Sequence, residues 1–486
     1  MINRQLSAEP PPVNGALAAG ASSSPGVAAL KPAAEGVRRA DGVRSSDGAR
    51  SADGVLGEGG VRGDGGVRGD SNGCGEGAGS GEDGGAVPGS FSSGEAWPEG
   101  AVPANPEGYG PLELLVIQPT PYCNLDCDYC YLPSRNDRHR LSMEILDAAL
   151  ERVLESPYLG GDFTLLWHAG EPLTLPISFY DEAGEHIRRA QERWAGPPLE
   201  IRQSVQTNAM VINDAWCDCF ARNRIHVGVS LDGPAFLHDR HRRTRTGLGS
   251  HAATMRGIAA LQRRGIHFQV ISVLTEEALH HPEAMFHFFV DNGIRDVAFN
   301  MEETEGENLQ STLSRPNTEA LYTQFLERFW QLWQERPEDM RVREFEGLCY
   351  LAGSDSRIER TDMNNPFAIV NVDARGNFST FDPELLSVHT EEYGDFVLGH
   401  VQRDSLASIV ATEKFQLIQR DLRAGIARCR AECEYFGVCG GGAGSNKYWE
   451  HGSFDCSETQ ACRYRIKLTS EVVLSGLESM LGLPAA

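Results

Sequence analysis

The sequence predicts an α/β fold: a partial (β/α)6 TIM-like barrel, with a disordered N-terminal tail before it and a cysteine-rich module after it. Three observations carry this reading. Short apolar runs alternate with helix-periodic segments through residues 113–300. Eight of the twelve cysteines fall into two groups at opposite ends of the remaining chain. The first hundred residues hold 24 of the 53 glycines and no aromatic residue before Phe91. The expected divisions are 1–108 (tail), 109–335 (barrel), 336–470 (cysteine-rich module) and 471–486 (end of a helix and C-terminal tail).

The tail is rich in Gly, Ala, Ser and charge, and it cannot bury enough apolar surface to offset its ordering entropy. Residues 36–71 repeat every six residues, from Gly36-Val-Arg-Arg-Ala-Asp41 to Gly66-Val-Arg-Gly-Asp-Ser71. Six polar hexads with Val alone to fill them make too few coils for a solenoid, so a solvated linker is expected. The repeats carry no aromatic ring, and Cys74 reads as incidental.

The net charge of −24 and the absence of a Lys/Arg stripe argue against a nucleic-acid partner. No run of 18 apolar residues occurs, so no membrane span is expected. Residues 1–10 lack the apolar core of a signal peptide, and the expected location is cytoplasmic.

Each unit of the barrel can be justified in turn. Residues 113–118 form a buried strand. Residues 142–155 form a helix with Leu146, Ala149, Leu150 and Val153 on one face and Ser142 as its cap. Strands at 162–168, 201–207, 227–231, 267–274 and 296–300 alternate with helices at 177–194, 213–222, 250–264 and 282–292. Repeated β-α units imply a parallel sheet with right-handed crossovers. Cys217, Cys219 and Cys349 read as small packing residues.

After the first strand comes Cys123-x3-Cys127-x2-Cys130, with no fourth cysteine nearby. Three thiolates leave one corner of a metal site open. A [4Fe–4S] cluster held this way keeps one iron free, while a zinc loop would need a distant fourth ligand. The later strand ends carry Trp167-His-Ala-Gly170-Glu171-Pro172, Gln206-Thr-Asn208, Ser230-Leu-Asp232-Gly-Pro and, beyond them, Arg242. Near the C-terminus stand Cys429-x3-Cys433-x5-Cys439-Gly-Gly-Gly442, then Cys456 and Cys462. That spacing suits one four-cysteine iron–sulfur cluster or a zinc knuckle equally.

Taken together, these motifs resemble the radical S-adenosylmethionine (SAM) family. The resemblance implies that Cys123, Cys127 and Cys130 hold a [4Fe–4S] cluster whose open iron chelates SAM. It places Tyr129 near the adenine and Gly170 with Glu171 around the SAM amino group. It assigns Ser230 and Asp232 to the ribose and carboxylate, Asn208 to a strand-end contact, and Arg242 to the carboxylate. The C-terminal cysteines resemble a SPASM module of peptide-modifying relatives. Ala443 and Phe381 stand where that module would carry cysteines of a first auxiliary cluster. One auxiliary [4Fe–4S] cluster is therefore expected, on Cys429, Cys433, Cys439 and Cys462, with Cys456 as the second choice for the fourth ligand.

The segments Gly376-Asn-Phe-Ser-Thr-Phe-Asp382-Pro-Glu384-Leu385 and Cys439-Gly-Gly-Gly-Ala-Gly-Ser-Asn-Lys447 look like the cyclophane-forming group, which acts on ribosomal precursor peptides. The implied reaction joins an aromatic ring carbon to a nearby Cβ through a 5′-deoxyadenosyl radical. Asp382 or Glu384 would take the ring proton; Asp382 reads equally as a turn residue before Pro383. The implied partners are a precursor peptide and an electron donor such as flavodoxin or ferredoxin. Alternatives are a sulfatase-type (formylglycine) maturase, a thioether-forming maturase and a non-catalytic iron–sulfur or zinc scaffold.

Overall fold

The computed structural model describes residue 105 and residues 107–483 except 387. The hexapeptide repeats, Cys74, Phe91 and Trp97, with the disorder expected there, lie outside the described residues.

Six strands succeed one another as expected: β1 (Leu114–Ile117), β2 (Phe163–Trp167), β3 (Ile201–Thr207), β4 (Ile225–Ser230), β5 (Phe268–Leu274) and β6 (Asp296–Met301). All pair in parallel with their neighbours. The helices between them include Met143–Leu154, Ile177–Arg193, Asp214–Asn223, His251–Arg263 and Pro282–Asp291. Two begin on caps legible in the sequence. Ser142 Oγ accepts from Ile145 N (3.4 Å), and Asn213 Oδ1 accepts from Trp216 N (3.1 Å). A short helix not expected from the sequence, Ala235–His241, follows β4.

The sheet extends past these six strands. It has ten, adding β7 (Arg341–Val342), β8 (Ile369–Val372), β9 (Asn377–Thr380) and β12 (Gly399–His400), in the order β12-β9-β8-β1-β2-β3-β4-β5-β6-β7. A separate hairpin pairs β10 (His389–Thr390) with β11 (Gly394–Asp395). β8 lies parallel to β1, with Leu114 opposite Ile369 and Val116 opposite Asn371. β9 and β12 return antiparallel. The segment after residue 335 is thus continuous in hydrogen bonding with the six βα units.

Residues paired across strands share a face, so the register separates two sides. Leu115, Ile117, Leu165, Trp167, Val205 and Val229 join the main core against the helices. Leu114, Val116, Leu166 and Ile369 form a second, smaller cluster on the opposite side, with Met363 against it. The same inner face carries buried Thr164, Ser204 and Asn371 and half-buried Gln206, each with a polar side-chain atom that finds no hydrogen-bond partner. Buried polar atoms are ordinarily satisfied, so this face is built to meet water or a ligand. No helix among the described residues is long and apolar enough to cross a membrane.

Candidate functional site

The first three cysteines lie on the loop that leaves β1. A strand end alone would not hold such a loop, and Arg245 does most of the fixing. Its Nε donates to Cys123 O (2.7 Å), its Nη2 to Arg135 O (2.5 Å) and its Nη1 to Asn136 Oδ1 (2.5 Å). Arg135 in turn donates to Cys127 O (3.1 Å). Asp126 N donates to Arg243 O (2.7 Å). Sequence reasoning missed Arg245, although the basic run 240–245, six positions beyond Pro234, was a visible cue.

Burial pushes the thiols of Cys123 and Cys127 up to about 12, and each feels Cys130. A buried thiolate needs a cation beside it. A tetrahedral zinc ion would bring its sulfurs within about 3.8 Å of one another. Among the described residues no three His, Cys, Asp or Glu side chains are grouped to hold a single metal ion.

The turn after β2 is pressed against this loop. Gly170 has φ +73°, and a Cβ there would fall 2.3 Å from Thr120 O and 2.9 Å from Pro121 O, so only glycine fits. Glu171 N donates to Tyr122 O (2.8 Å). The Glu171 carboxylate is buried, which raises its pKa, and it accepts from Thr207 Oγ1 (2.7 Å), Asn208 N (2.8 Å) and Leu173 N (3.0 Å). Asn208 Nδ2 reaches Asn124 Oδ1 (2.7 Å), beside Cys123. Ser230 Oγ accepts from Gln206 (2.9 Å).

Asp232 and Arg242 were expected to face a ligand separately; here they pair with each other. Arg242 Nε and Nη2 donate to Asp232 (2.8 and 3.1 Å), and Val273 N (3.0 Å) and Tyr129 OH (2.5 Å) complete the carboxylate. Burial raises the Asp232 pKa, but the Arg242 charge, His238 and the hydrogen bonds from Arg242 and Tyr129 together outweigh it, and the net shift is downward. Tyr129 also lies under Arg242, 5.4 Å from ring centre to guanidinium. Behind this pair, burial pushes His238 down to about 4. Neutral His238 accepts from Asp232 N (3.3 Å) and bonds Ser250 Oγ (2.9 Å). The cost of leaving a buried charge unpaired explains why these groups are saturated from within.

The second cysteine group gathers around the end of a long helix, Glu413–Glu432. Cys429 lies in its last turn, Cys433 caps it, and Cys439 ends the short helix Phe436–Cys439. Gly440 to Gly442 all have positive φ, and a Cβ at Gly440 would meet Arg360 backbone at 2.7 Å. Cys462 feels Cys439 and Cys433, and Cys439 feels Cys429 and Cys433. Cys456 feels Cys429, and its thiol points to Ser453 O (3.8 Å). A cavity of about 40 Å³ is lined by Cys439 and Cys462 along with Asn446 and Arg465.

Between the two cysteine groups lies a set of acids that the sequence named only in part. Asp382 is fully buried; its Oδ2 accepts from Ser445 N (2.5 Å), while Oδ1 has no partner. Glu305 is buried and accepts from Asn446 Nδ2 (2.9 Å). Glu303 pairs with Arg465 (3.0 Å). Burial, then the charge of Glu384, drives Asp382 well up; burial also drives Glu305 well up. Burial raises Glu384 to about 7, with Glu303 adding to the effect and Arg465 opposing it. Tyr131, next to Cys130, feels Glu384, Glu305 and Glu303, and its hydroxyl has no partner. Glu303, Glu305 and Arg465 lie in no motif, so nothing local marked them.

A wider groove of about 660 Å³ lies among Asp147, Glu151, Arg193 and Trp194, at the C-terminal ends of two helices. Helices antiparallel to the strands place those ends opposite the strand C-termini, away from these residues.

Residues 117–289 match the Radical SAM superfamily. The chain belongs to that family. An uncharacterized protein of Synechocystis sp. is 55% identical over 375 residues, which cover 77% of this chain and 94% of that protein. A serine-type anaerobic sulfatase-maturating enzyme of Klebsiella aerogenes is 31% identical, over 49% of this chain and 58% of the relative. Among solved structures, anSMEcpe with bound AdoMet superposes with a TM-score of 0.62 at 22% identity, covering 76% of this chain and 96% of that one. Streptococcus suis SuiB bound to the precursor peptide SuiA gives 0.51 at 15% identity, over 73% and 77%. At these identities the structural matches speak for the fold.

A radical SAM enzyme implies a [4Fe–4S] cluster and SAM. The residues present fit both. The β1 loop offers three thiols, and burial disfavours Cys123 and Cys127 as isolated thiolates. Gly170 leaves room a Cβ would fill, and the adjoining inner face offers unpartnered polar atoms. Cys123, Cys127 and Cys130 would hold the cluster. Tyr129, Gly170, Glu171, Asn208, Ser230, Asp232 and Arg242 would surround SAM.

Proposed function

We propose that this radical SAM enzyme modifies a ribosomally made precursor peptide, joining an aromatic ring carbon to the Cβ of a nearby residue. The observation that carries the reading is the acid group of buried Asp382 and Glu305 with half-buried Glu384, set between Tyr131 on the first cysteine loop and Ser445, Asn446 and Arg465 beside the second. Relatives named for sulfatase maturation and for binding a precursor peptide support a peptide or protein substrate.

When bound, the [4Fe–4S] cluster and SAM supply a 5′-deoxyadenosyl radical able to take a Cβ hydrogen, and an auxiliary cluster would serve as an electron sink. Restoring the aromatic ring after bond formation requires the loss of one electron and one proton. The chain's own part is to receive that proton. Of the two acids in the Asp382-Pro-Glu384 segment, Asp382 is pushed well up by complete burial and then by the charge of Glu384. Glu384, brought to about 7, ionises in the neutral range, which suits a general base. Asp382 Oδ1, unpartnered and buried, then offers a hydrogen bond to substrate.

Cys429, Cys433 and Cys439 gather at one helix end, and Cys439 and Cys462 line one cavity that Cys456 does not, which supports an auxiliary cluster on these four. The test is the product. Incubation with SAM, a reductant and the candidate precursor should remove two hydrogens per crosslink and suppress fragmentation within the crosslinked motif. A hydrazide-reactive product with normal fragmentation would replace this reading with formylglycine formation.

A further inference from the structure

Lys447 has no role in the chemistry above, yet it is among the most buried charged residues, at 2% exposure. It lies on the helix Gly444–His451 and points its Nζ at Cys429 Sγ, 3.4 Å away. Among the described residues it forms no ion pair with a carboxylate. Asp455, which feels its charge, is itself paired with Arg428 at 2.6 Å. The facing helix makes room for it. Gly425, one turn before Cys429, would place a Cβ 3.0 Å from Lys447 Nζ and 2.1 Å from Phe454 O. A buried ammonium without a carboxylate demands negative charge from some other source. A cluster bound through thiolates carries that charge. A neutral Cys429 thiol, whose proton points to Ser457 O at 2.9 Å, does not.

We propose that Lys447 is a positioning residue whose ammonium, held against the Cys429 sulfur, raises the reduction potential of the auxiliary cluster. This rests on the assignment of Cys429, Cys433, Cys439 and Cys462 to that cluster. A cation beside a ligand sulfur favours the more negative, reduced cluster, and both net charge and hydrogen bonds to the sulfurs set such potentials. The step concerned is one-electron uptake by the cluster from an external reductant. In the enzyme, the same bias would favour uptake of the electron released when the ring is restored.

The test uses the full chain with Cys123, Cys127 and Cys130 all replaced by Ala, so that only the auxiliary cluster remains. Iron content is measured first, then the midpoint potential by dithionite titration followed by electron paramagnetic resonance. Lys447→Met is expected to lower the midpoint by at least about 59 mV, a tenfold change for one electron, at unchanged iron content. Lys447→Arg should stay near the parent. If Lys447→Met loses its iron, Lys447→Gln is read in its place. An unshifted potential in an iron-replete neutral variant overturns the proposal and leaves the auxiliary cluster standing. A triple-Ala parent without iron overturns the cluster assignment, and the proposal with it.

Discussion

Replacing Glu384 by Gln tests the acid group through two independent readouts. In the folded protein burial holds this carboxyl at about 7 instead of its ordinary 4.5. Each pKa unit is worth about 1.4 kcal/mol, so the ionised form costs the fold up to about 3 kcal/mol, less what its partial exposure screens. The sign follows from linkage. A carboxyl whose folded pKa is raised gives stability that is whole below pH 4.5 and is lost as pH rises through about 7. Wild-type protein should therefore weaken between pH 5 and 8, and Glu384→Gln should weaken less, gaining about 1–3 kcal/mol on wild type at pH 8. Urea denaturation under anaerobic conditions at the two pH values measures this. In turnover, the variant should still form 5′-deoxyadenosine, while crosslinked peptide falls by about 10²–10⁴-fold, the usual contribution of a positioned base. Equal stability gaps at pH 5 and 8 would refute the burial argument. An undiminished crosslink yield would refute the assignment of Glu384 as base.

Two further substitutions address the cysteine sites. Gly170→Ala must move the Thr120–Pro121 backbone to relieve a 2.3 Å approach, on top of about 1–2 kcal/mol for a left-handed alanine. It should cut 5′-deoxyadenosine formation about 100-fold, measured by chromatography of the quenched reaction, and a wild-type rate would show that the loop does not depend on this contact. Cys462→Ala should lose the iron of one cluster and Cys456→Ala should not; iron analysis giving the reverse would exchange the two residues.

Much of the fold could be read locally because each βα unit declares itself by period and cap. The helix at Met143–Leu154 follows from Leu146, Ala149, Leu150 and Val153 on one face and Ser142 at its start. The sheet beyond those six strands could not be read this way. β8 pairs with β1 across some 255 positions of sequence, and four-residue strands carry little periodic signal of their own. The site divides along the same line. Cysteines and strand-end glycines have spacing, so they were visible. The pairing of Asp232 with Arg242 was not, because two residues each suited to a ligand satisfy one another once both are buried.

The acid group shows why motif reading ran out where it did. β9 runs antiparallel to β8, so a chain continuing straight would leave the sheet away from the first cysteine loop. Phe381 prevents this. Its φ of +78° is a left-handed conformation unfavourable for an aromatic residue. Asn371 Nδ2, on the inner face, donates to Phe381 O (3.3 Å), and the Phe381 ring stacks on Phe415, 5.9 Å between centres. This turn sets Asp382 against Ser445 N and brings Glu384 within reach of Glu303 and Arg465. Phe381 occupies a position where a related module would carry a cysteine. Sequence reasoning therefore read it as a missing ligand. In the folded chain its work is steric: it turns the backbone inward, and the strain it stores is spent on placing two carboxyls between the two cysteine groups.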